Sequence, residues 1–460
     1  MKKYINTPAG ADMTTGSLPK KIFLFSIPLI ASQLLQVLFN MADVAVVGRF
    51  SSASALGSVG STVILVTLFT GVLIGLGSGV NVRVAQFIGA KKSRDICETV
   101  HASFVICLAA GIIIAVSCFL LARPMLMLIK TKDELIDGAV LYFRIYALGM
   151  PALAIFNFGN AVLSAKGDTA RPLVYLTAAG ILNVILNLFF VIVCGMSVDG
   201  VALASIISQY LSAVLIIIRM VKDKSDCGFS PRLIGFYPAK ARTVLALGLP
   251  AGLQNAIFAI ANLFIQAGVN YFDHIVVEGN SAASNSDAII YNVMAAFYTA
   301  CSTFMGQNLG AGKYRRVKKT YFICLAYSFA AGALLGLLLI IFGREFLELF
   351  TDVPEVANAG MDRIRIMGYS YMVSAFMDCT MAASRGLGKS LAPTVIVILG
   401  SCVFRVAWVY TVFAYFHTIP SLYLLYVFSW TITAIAQIIY YVHCLKSLPK
   451  TDEAPTAVQA

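Results

Sequence analysis

Two acidic side chains in this chain sit where an ionised group is expensive to keep, and they indicate what chemistry to look for. Of 22 acidic residues, only Asp43 and Asp378 lie well inside long apolar stretches, while Asp287 and Asp362 fall near predicted helix starts. A carboxylate at hydrocarbon depth must face a wet cavity, pair with a cation or hold a proton. Each outcome suits ion-coupled transport. A group that cannot remain both ionised and unpaired holds either a coupling ion or a cationic substrate, and their mutual exclusion links the two flows through reciprocal binding thermodynamics. Asp43 lies six residues before Arg49, at the outer end of its predicted helix, where the plainer role is to cap the helix or to pair with Arg49. Asp378 lies seven residues before Arg385, in the inner half of the tenth predicted helix. Its plainer role is a structural ion pair with Arg405 of the eleventh, an arginine otherwise unexplained beside Trp408.

Amides accompany these carboxylates at helical spacing. Gln33, Gln36, Asn40 and Asp43 step by three, four and three and share one face of the first predicted helix. Asn183 and Asn187 stand at i and i+4 in the fifth, and Asn255, Asn262 and Gln266 form a stripe in the seventh. Such stripes are either interhelical glue or the wall of a wet cavity. Tyr291, Phe297, Tyr298, Tyr369 and Tyr371 offer ring faces that attract lipophilic cations, with core packing as the plainer reading. Arg144, Arg363 and Arg365 lie near predicted helix ends and are expected to snorkel. Gly71, Gly75 and Gly79 recur every fourth residue and predict a close helix contact. The run Gly75 to Gly79 lacks the strand-turn-helix context of a phosphate loop and carries no nucleotide reading.

The elements that position these residues are long apolar helices. Hydrophobic residues make up 59% of 460 positions and charged residues 12%, far from the soluble balance of about one half and one quarter. The composition predicts an all-α integral membrane protein. A hydrocarbon core about 30 Å thick needs about 20 apolar residues per helix. The predicted spans run approximately from 22 to 48, 55 to 82, 97 to 121, 137 to 158, 172 to 194, 200 to 220, 244 to 271, 286 to 307, 320 to 343, 359 to 384, 392 to 416 and 420 to 444. The first is too long for a cleavable signal and contains Pro28 and Gln33, so it reads as a spanning helix.

The formal net charge is +12, and the position of the cations gives it meaning. Lys20, Lys21, Lys91, Lys92, Arg94, Lys166, Arg171, the stretch from Arg219 to Arg242, the stretch from Lys313 to Lys319, Arg385, Lys389 and Lys446 all fall on one side of the predicted spans. Arg49, Arg123, Lys130, Lys132 and Arg344 fall on the other. This asymmetry predicts cytoplasmic N- and C-termini and implies no nucleic-acid partner. The ten cysteines hold no Cys-x-x-Cys pair, and most, such as Cys107, Cys118, Cys324 and Cys402, read as small core residues. His101, His274, His417 and His443 lack metal-ligand spacing, so no metal site is expected.

The chain reads as one unit written twice. Gln86-Phe-Ile-Gly-Ala-Lys-Lys returns 221 residues later as Gln307-Asn-Leu-Gly-Ala-Gly-Lys, and at that offset Gln33 falls on Gln254, Arg144 on Arg365, Gly167 on Gly388 and Pro172 on Pro393. The longest polar interruption, residues 222–242, falls between the copies and predicts a linker joining six-helix bundles at 1–221 and 243–460, the latter with a short cytoplasmic tail. Six spans per copy make the repeats parallel in the membrane, with a cleft between them.

Met13-Thr-Thr-Gly-Ser, Pro28, Gln33, Asn40, Asp43 and the Val-Val-Gly-Arg run ending at Arg49 resemble the start of a transporter of the multidrug and toxic compound extrusion (MATE) family. So do Gly248-Leu-Pro250, the Gln307 motif, and the run from Ser384 to Ser390; the likeness covers residues 13 to 445. The resemblance implies two pseudo-symmetric six-helix bundles in a V around a central cleft, exchanging organic cations for protons or sodium ions. Asp43 matches the first-helix aspartate of the N-terminal lobe, and Asn183 a fifth-helix amide of the same site. Asn187 stands where DinF-like members carry a second aspartate, and Phe258 where NorM-like members carry a glutamate. Asp378 lies about one turn beyond the tenth-helix aspartate.

The resulting expectation is a monomeric secondary antiporter of the plasma (inner) membrane, exporting small-molecule organic cations or zwitterions by alternating access. It needs no cofactor beyond H+ or Na+, held by Asp43, Asn40, Asn183 and Asn187. Its substrate cleft would be lined by Gln36, Asn255, Asn262, Tyr291, Tyr371 and Asp378. One rival is a flippase for lipid-linked saccharides, which would want cleft cations for pyrophosphate, with Arg144, Arg365 and Arg405 as candidates. The other is a membrane-embedded transferase, which would want paired carboxylates or a nucleophile with its base; no Asp-x-x-Asp or His-x-x-x-Asp pattern occurs within a predicted span.

Overall fold

The computed structural model describes residues 12–449, apart from 52, 224–228 and 236, together with residue 452. Lys224 and Asp226 of the expected linker lie outside the described residues. The rest forms helices joined by short turns, with no strand among the described residues. In chain order these are α1 (Leu18–Phe50), α2 (Ala53–Gly89), α3 (Ser93–Leu128), α4 (a pair, Asp133–Ala147 and Met150–Ala165), α5 (Ala170–Val193), α6 (Val198–Val221), α7 (Pro238–Val269), α8 (His274–Gly310), α9 (Tyr314–Leu347), α10 (Pro354–Gly386), α11 (Leu391–Phe416) and α12 (Ile419–Lys446). Each of the twelve predicted spans falls on one of them.

Hydropathy alone counts fewer spans. Among the described residues ten helices are long and apolar enough to cross a membrane, and the α4 pair, bent by 45°, raises the number to 11. The bend falls where Pro151 opens the second segment, since its ring and missing N–H prevent the first helix from running on. The remaining helix is α10, 33 residues long but polar, with Arg363 and Asp378 only 5% and 4% exposed. It packs against α8, α9 and α12, and that cover lets charged residues sit at depth. Ile113, Leu120, Ile341 and Ile439 expose more than half of their surface on the outside of the helices. An apolar exterior is what lipid contact requires.

The contacts sort the chain into two compact units, one holding Ala31–Ala256 and the other Met13–Ile30 with the described residues from Ile257 onward. Two helices are therefore shared. In the first unit the opening half of α7 lies on α2, where Gly71, Gly75 and Gly79 meet Asn255, Gly252 and Gly248. A Cβ on Gly75 would stand 2.2 Å from the Gly252 nitrogen, so the expected small-residue face is real and its partner is α7. In the second unit the opening half of α1 packs Ile22, Phe25 and Leu29 with Ala300, Cys301 and Phe304 of α8. Phe25 meets Phe304 edge-on at 5.4 Å.

The repeated motifs are helix ends. Gly167 and Gly388 both take positive φ, 89° and 82°, and the next residues reach back, Asp168 N–H to the Leu163 carbonyl and Lys389 N–H to the Ser384 carbonyl. This is the left-handed cap that favours glycine. The Gln86 and Gln307 motifs close the same way, with Lys92 N–H on the Phe87 carbonyl and Lys313 N–H on the Asn308 carbonyl. The left-handed position is Gly312 (φ 68°) in one copy and Lys91 (φ 53°) in the other. A side chain there costs about 1 kcal/mol. Lys91→Gly is therefore expected to raise the thermal unfolding midpoint of the detergent-purified protein, and Gly312→Ala to lower it. Gly75→Leu, which drives a side chain into the α7 backbone, should abolish recovery of folded protein; normal yield and elution would refute the close contact.

Candidate functional site

In the first unit Asp43 is the centre of a closed hydrogen-bond circuit. Two turns from the end of α1, it is half-buried against α5 and α6. Asn187 Nδ2 donates to Asp43 Oδ1 at 2.5 Å and also to Asn183 Oδ1 at 3.3 Å. Asn183 Nδ2 donates to Ser205 Oγ at 3.5 Å, and Ser205 Oγ returns to Asp43 Oδ2 at 3.5 Å. Both carboxylate oxygens lie within hydrogen-bond reach of these groups. The i, i+4 spacing of Asn183 and Asn187 aims both amides from one face of α5, and they are 5% and 0% exposed. One acceptor stays empty: Asn187 Oδ1 is buried and receives no hydrogen bond. The stacked phenol rings of Tyr142 and Tyr146, 5.9 Å apart on α4, lie within electrostatic reach of Asp43.

Arg49 is exposed and forms no ion pair with Asp43 among the described residues. Asn40, one turn earlier on α1, is exposed and outside the circuit, as is Gln36. Asn262 is exposed too, whereas Asn255 donates to the Gly71 carbonyl at 3.0 Å and so helps to fasten α7 to α2.

The second unit contains a buried charge network that the sequence reading had divided among bland roles. Arg363 does not snorkel. Its guanidinium donates to Asp287 and to Asn280, with Tyr423 and Tyr426 rings 5.2 and 5.8 Å from its centre. Asp287 also accepts from the Tyr371 hydroxyl, and Asn280 Oδ1 from the Tyr423 hydroxyl at 3.0 Å. Tyr371 thus serves this network. Asp287 is not near a helix start, because α8 begins at His274; the polar opening turns around Asn280 and Ser281 hid that part of the helix from a hydropathy reading. Arg144 and Arg365 do lie exposed, the first against the Phe119 carbonyl and the second beside Asp362.

No ion pair joins Asp378 to Arg405 among the described residues. Asp378 is 4% exposed and Arg405 3%, and the two charges act on one another only at longer range. Arg405 instead donates from Nε to Ser429 Oγ at 3.2 Å and lies against the rings of Tyr426, Phe258 and Trp430. Aromatic faces take the part that the carboxylate was expected to play. Tyr291 is 49% exposed, with its phenol in electrostatic reach of Asp378. Ser205, Asn280 and Tyr423 were missed altogether. A signal existed for two of them: Ser205, Ser208 and Ser212 repeat along α6, and Asn280 and Asp287 are two turns apart on one face of α8.

Two stretches of this chain, residues 28–189 and 250–411, match the family model described as MatE. The probable multidrug resistance protein YpnP of Bacillus subtilis is 28% identical over 362 residues, 78% of this chain and 80% of its own length. A protein named FAD transporter, from Shewanella oneidensis, is 25% identical over 362 residues, 76% of each chain. Among solved structures, a MOP superfamily transporter from Pyrococcus furiosus shares the fold, with a TM-score of 0.90 over 97% of this chain and 100% of its own at 21% identity.

Removing one member of a buried charge pair leaves the other uncompensated and costs about 3–5 kcal/mol. Arg363→Met is therefore expected to destabilise the purified protein by about that much, and Asp287→Asn with Arg363→Met to recover part of the loss. Strict additivity in thermal unfolding would show that the two do not act as a pair.

Proposed function

This chain belongs to the MatE family of multidrug efflux transporters, and from that premise we propose that it is a secondary antiporter exporting organic cations in exchange for protons or sodium ions. It is a multi-span integral membrane protein and a transporter, not an enzyme. The observation that carries the antiport reading is the circuit at Asp43, with one carboxylate, two amides and a hydroxyl converging and Asn187 Oδ1 left without a donor. A proton arriving on Asp43 removes the need for one donor, and the Asn187 amide can turn to offer that proton its oxygen. A sodium ion finds oxygens of Asp43, Asn183, Asn187 and Ser205, the hard donors such ions prefer. An organic cation pairing with the same carboxylate displaces either ion. Binding of one therefore lowers affinity for the other by an equal factor.

Asn187 in place of a second carboxylate leaves this circuit with a single formal negative charge. One monovalent ion neutralises it, so exchange against a monovalent organic cation moves no net charge. The distribution of Lys and Arg supports a plasma-membrane orientation with both termini in the cytoplasm, and a monomer with no nucleic-acid partner suffices for this cycle. The flippase alternative weakens, since only Arg405 of its three candidate arginines is buried. The relative named FAD transporter supports admitting anionic aromatic molecules beside cations.

The test is efflux of a fluorescent cation from everted vesicles under an imposed proton or sodium gradient. Asp43→Asn is expected to abolish ion-driven efflux in vesicles carrying equal amounts of protein; transport at the intact rate in the variant would sink the assignment. Clamping the membrane potential at different values should leave the exchange rate of a monovalent cation unchanged, and Asn187→Asp should make it voltage-dependent. A voltage-sensitive intact protein would refute the one-charge stoichiometry.

A further inference from the structure

The second unit holds two arginines buried to nearly the same depth and used in opposite ways. Arg363 has its terminal nitrogens bound to Asn280 and Asp287. Arg405 is tied only at Nε, to Ser429 Oγ, and its two terminal nitrogens have no hydrogen-bond or ion-pair partner among the described residues. They are not closed off either. The unpaired side-chain atoms sealed inside this protein include Arg363 Nε and Arg385 Nε but no atom of Arg405, so its fork is not fully sealed. The Tyr426 ring, 4.6 Å from the guanidinium centre, and the Phe258 and Trp430 rings, each at 5.6 Å, hold that fork in place. A buried guanidinium with a fixed plane and two unfilled donors is shaped for bidentate capture of an oxyanion.

Asp378 gives the same region the opposite charge. It is 4% exposed, has no hydrogen-bond partner among the described residues, and is likewise absent from the sealed unpaired atoms. Ser401, one turn before Arg405, donates to the sulfur of Met377, the neighbour of Asp378, at 3.5 Å, so α10 and α11 meet beside the two charges. The half-exposed Tyr291 of α8 has its phenol within electrostatic reach of Asp378. Arg385 also acts on the Asp378 charge, and more strongly than Arg405 does, yet among the described residues no donor meets either oxygen of Asp378 and the Arg405 fork is likewise unfilled.

We propose that this recess is a binding subsite for an oxyanion, a carboxylate or a phosphate, carried on an aromatic molecule that also bears a basic amine. Arg405 takes the oxyanion, Asp378 the amine, and the rings around Arg405 the aromatic body. Arg405 is then the residue that sets preference for zwitterions over simple cations, a statement about substrate class that rests on the transport reading above. Bringing Asp378 directly onto Arg405 would cancel both charges and abolish the site; the separation keeps it usable.

The chain contains two tryptophans, and Trp408→Phe leaves Trp430, at the recess, as the reporter. The full-length protein in detergent is titrated with benzylamine, benzoate, 4-(aminomethyl)benzoate and phenyl phosphate while Trp430 emission is followed. The expected result is half-saturation by 4-(aminomethyl)benzoate at about tenfold lower concentration than by benzylamine. Arg405→Gln removes that advantage, Arg405→Lys keeps part of it, and Asp378→Asn removes the advantage over benzoate while benzoate binding persists. Stronger binding of phenyl phosphate or of benzoate names the preferred oxyanion. If Arg405→Gln does not fold, Arg405→Lys and Asp378→Asn decide. An acid preference that survives loss of the arginine, or equal binding of benzylamine and the amino acid by the intact protein, overturns the proposal. Absence of ion-driven efflux with an intact titration sinks the antiport reading and leaves the recess standing. Efflux of a simple cation without Arg405-dependent binding sinks the recess alone.

Discussion

A charge carried by a membrane-spanning helix must be met by donors or by opposite charge, and no solvent is at hand to correct a poor arrangement. Asp43 is met by an amide from α5 and a hydroxyl from α6. That demand ties three helices to one register: a slip of one residue in α5 turns Asn183 and Asn187 away by about a quarter-turn and leaves the carboxylate bare. The circuit is therefore a packing constraint on α1, α5 and α6.

The second unit meets the same demand by a different route. Its charges lie on α10, which α8, α9 and α12 cover, and Arg363 is neutralised within that cover by Asp287 while hydroxyls of Tyr371 and Tyr423 complete the acceptors. Replacing such a pair by well-packed apolar groups is often neutral for stability. Its contribution lies more in fixing which faces of α8, α10 and α12 meet than in net free energy. Arg405 shows the converse case, with rings supplying the compensation and the hydrogen-bonding fork left over.

The duplication is visible in the turns as well as the spans. Left-handed caps recur at Gly167 and Gly388 and at Lys91 and Gly312, because each copy must stop a long helix abruptly and reverse the chain. The shared helices α1 and α7 follow the same rule. Each gives its opening half to one unit and its remainder to the other, and close glycine contacts in one case and aromatic packing in the other secure the opening half.

The number and approximate placement of the spans, the duplication, the glycine face of α2 and the i, i+4 spacing of Asn183 and Asn187 were all legible in the residue order, whereas the grouping of those amides with Asp43 came from the family resemblance. Composition and helical period are local properties, and hydrocarbon imposes them on every span. Partners across helices were not legible. Ser205 completes the Asp43 circuit from a helix whose sequence marks it only as small, Arg363 finds Asp287 where a reading by position made both peripheral, and Asp378 and Arg405 stand apart where opposite sign and neighbouring helices suggested contact. Rotation of each helix about its axis decides such pairings. Rotation is set by the sum of many side-chain contacts, which only the packed tertiary structure resolves.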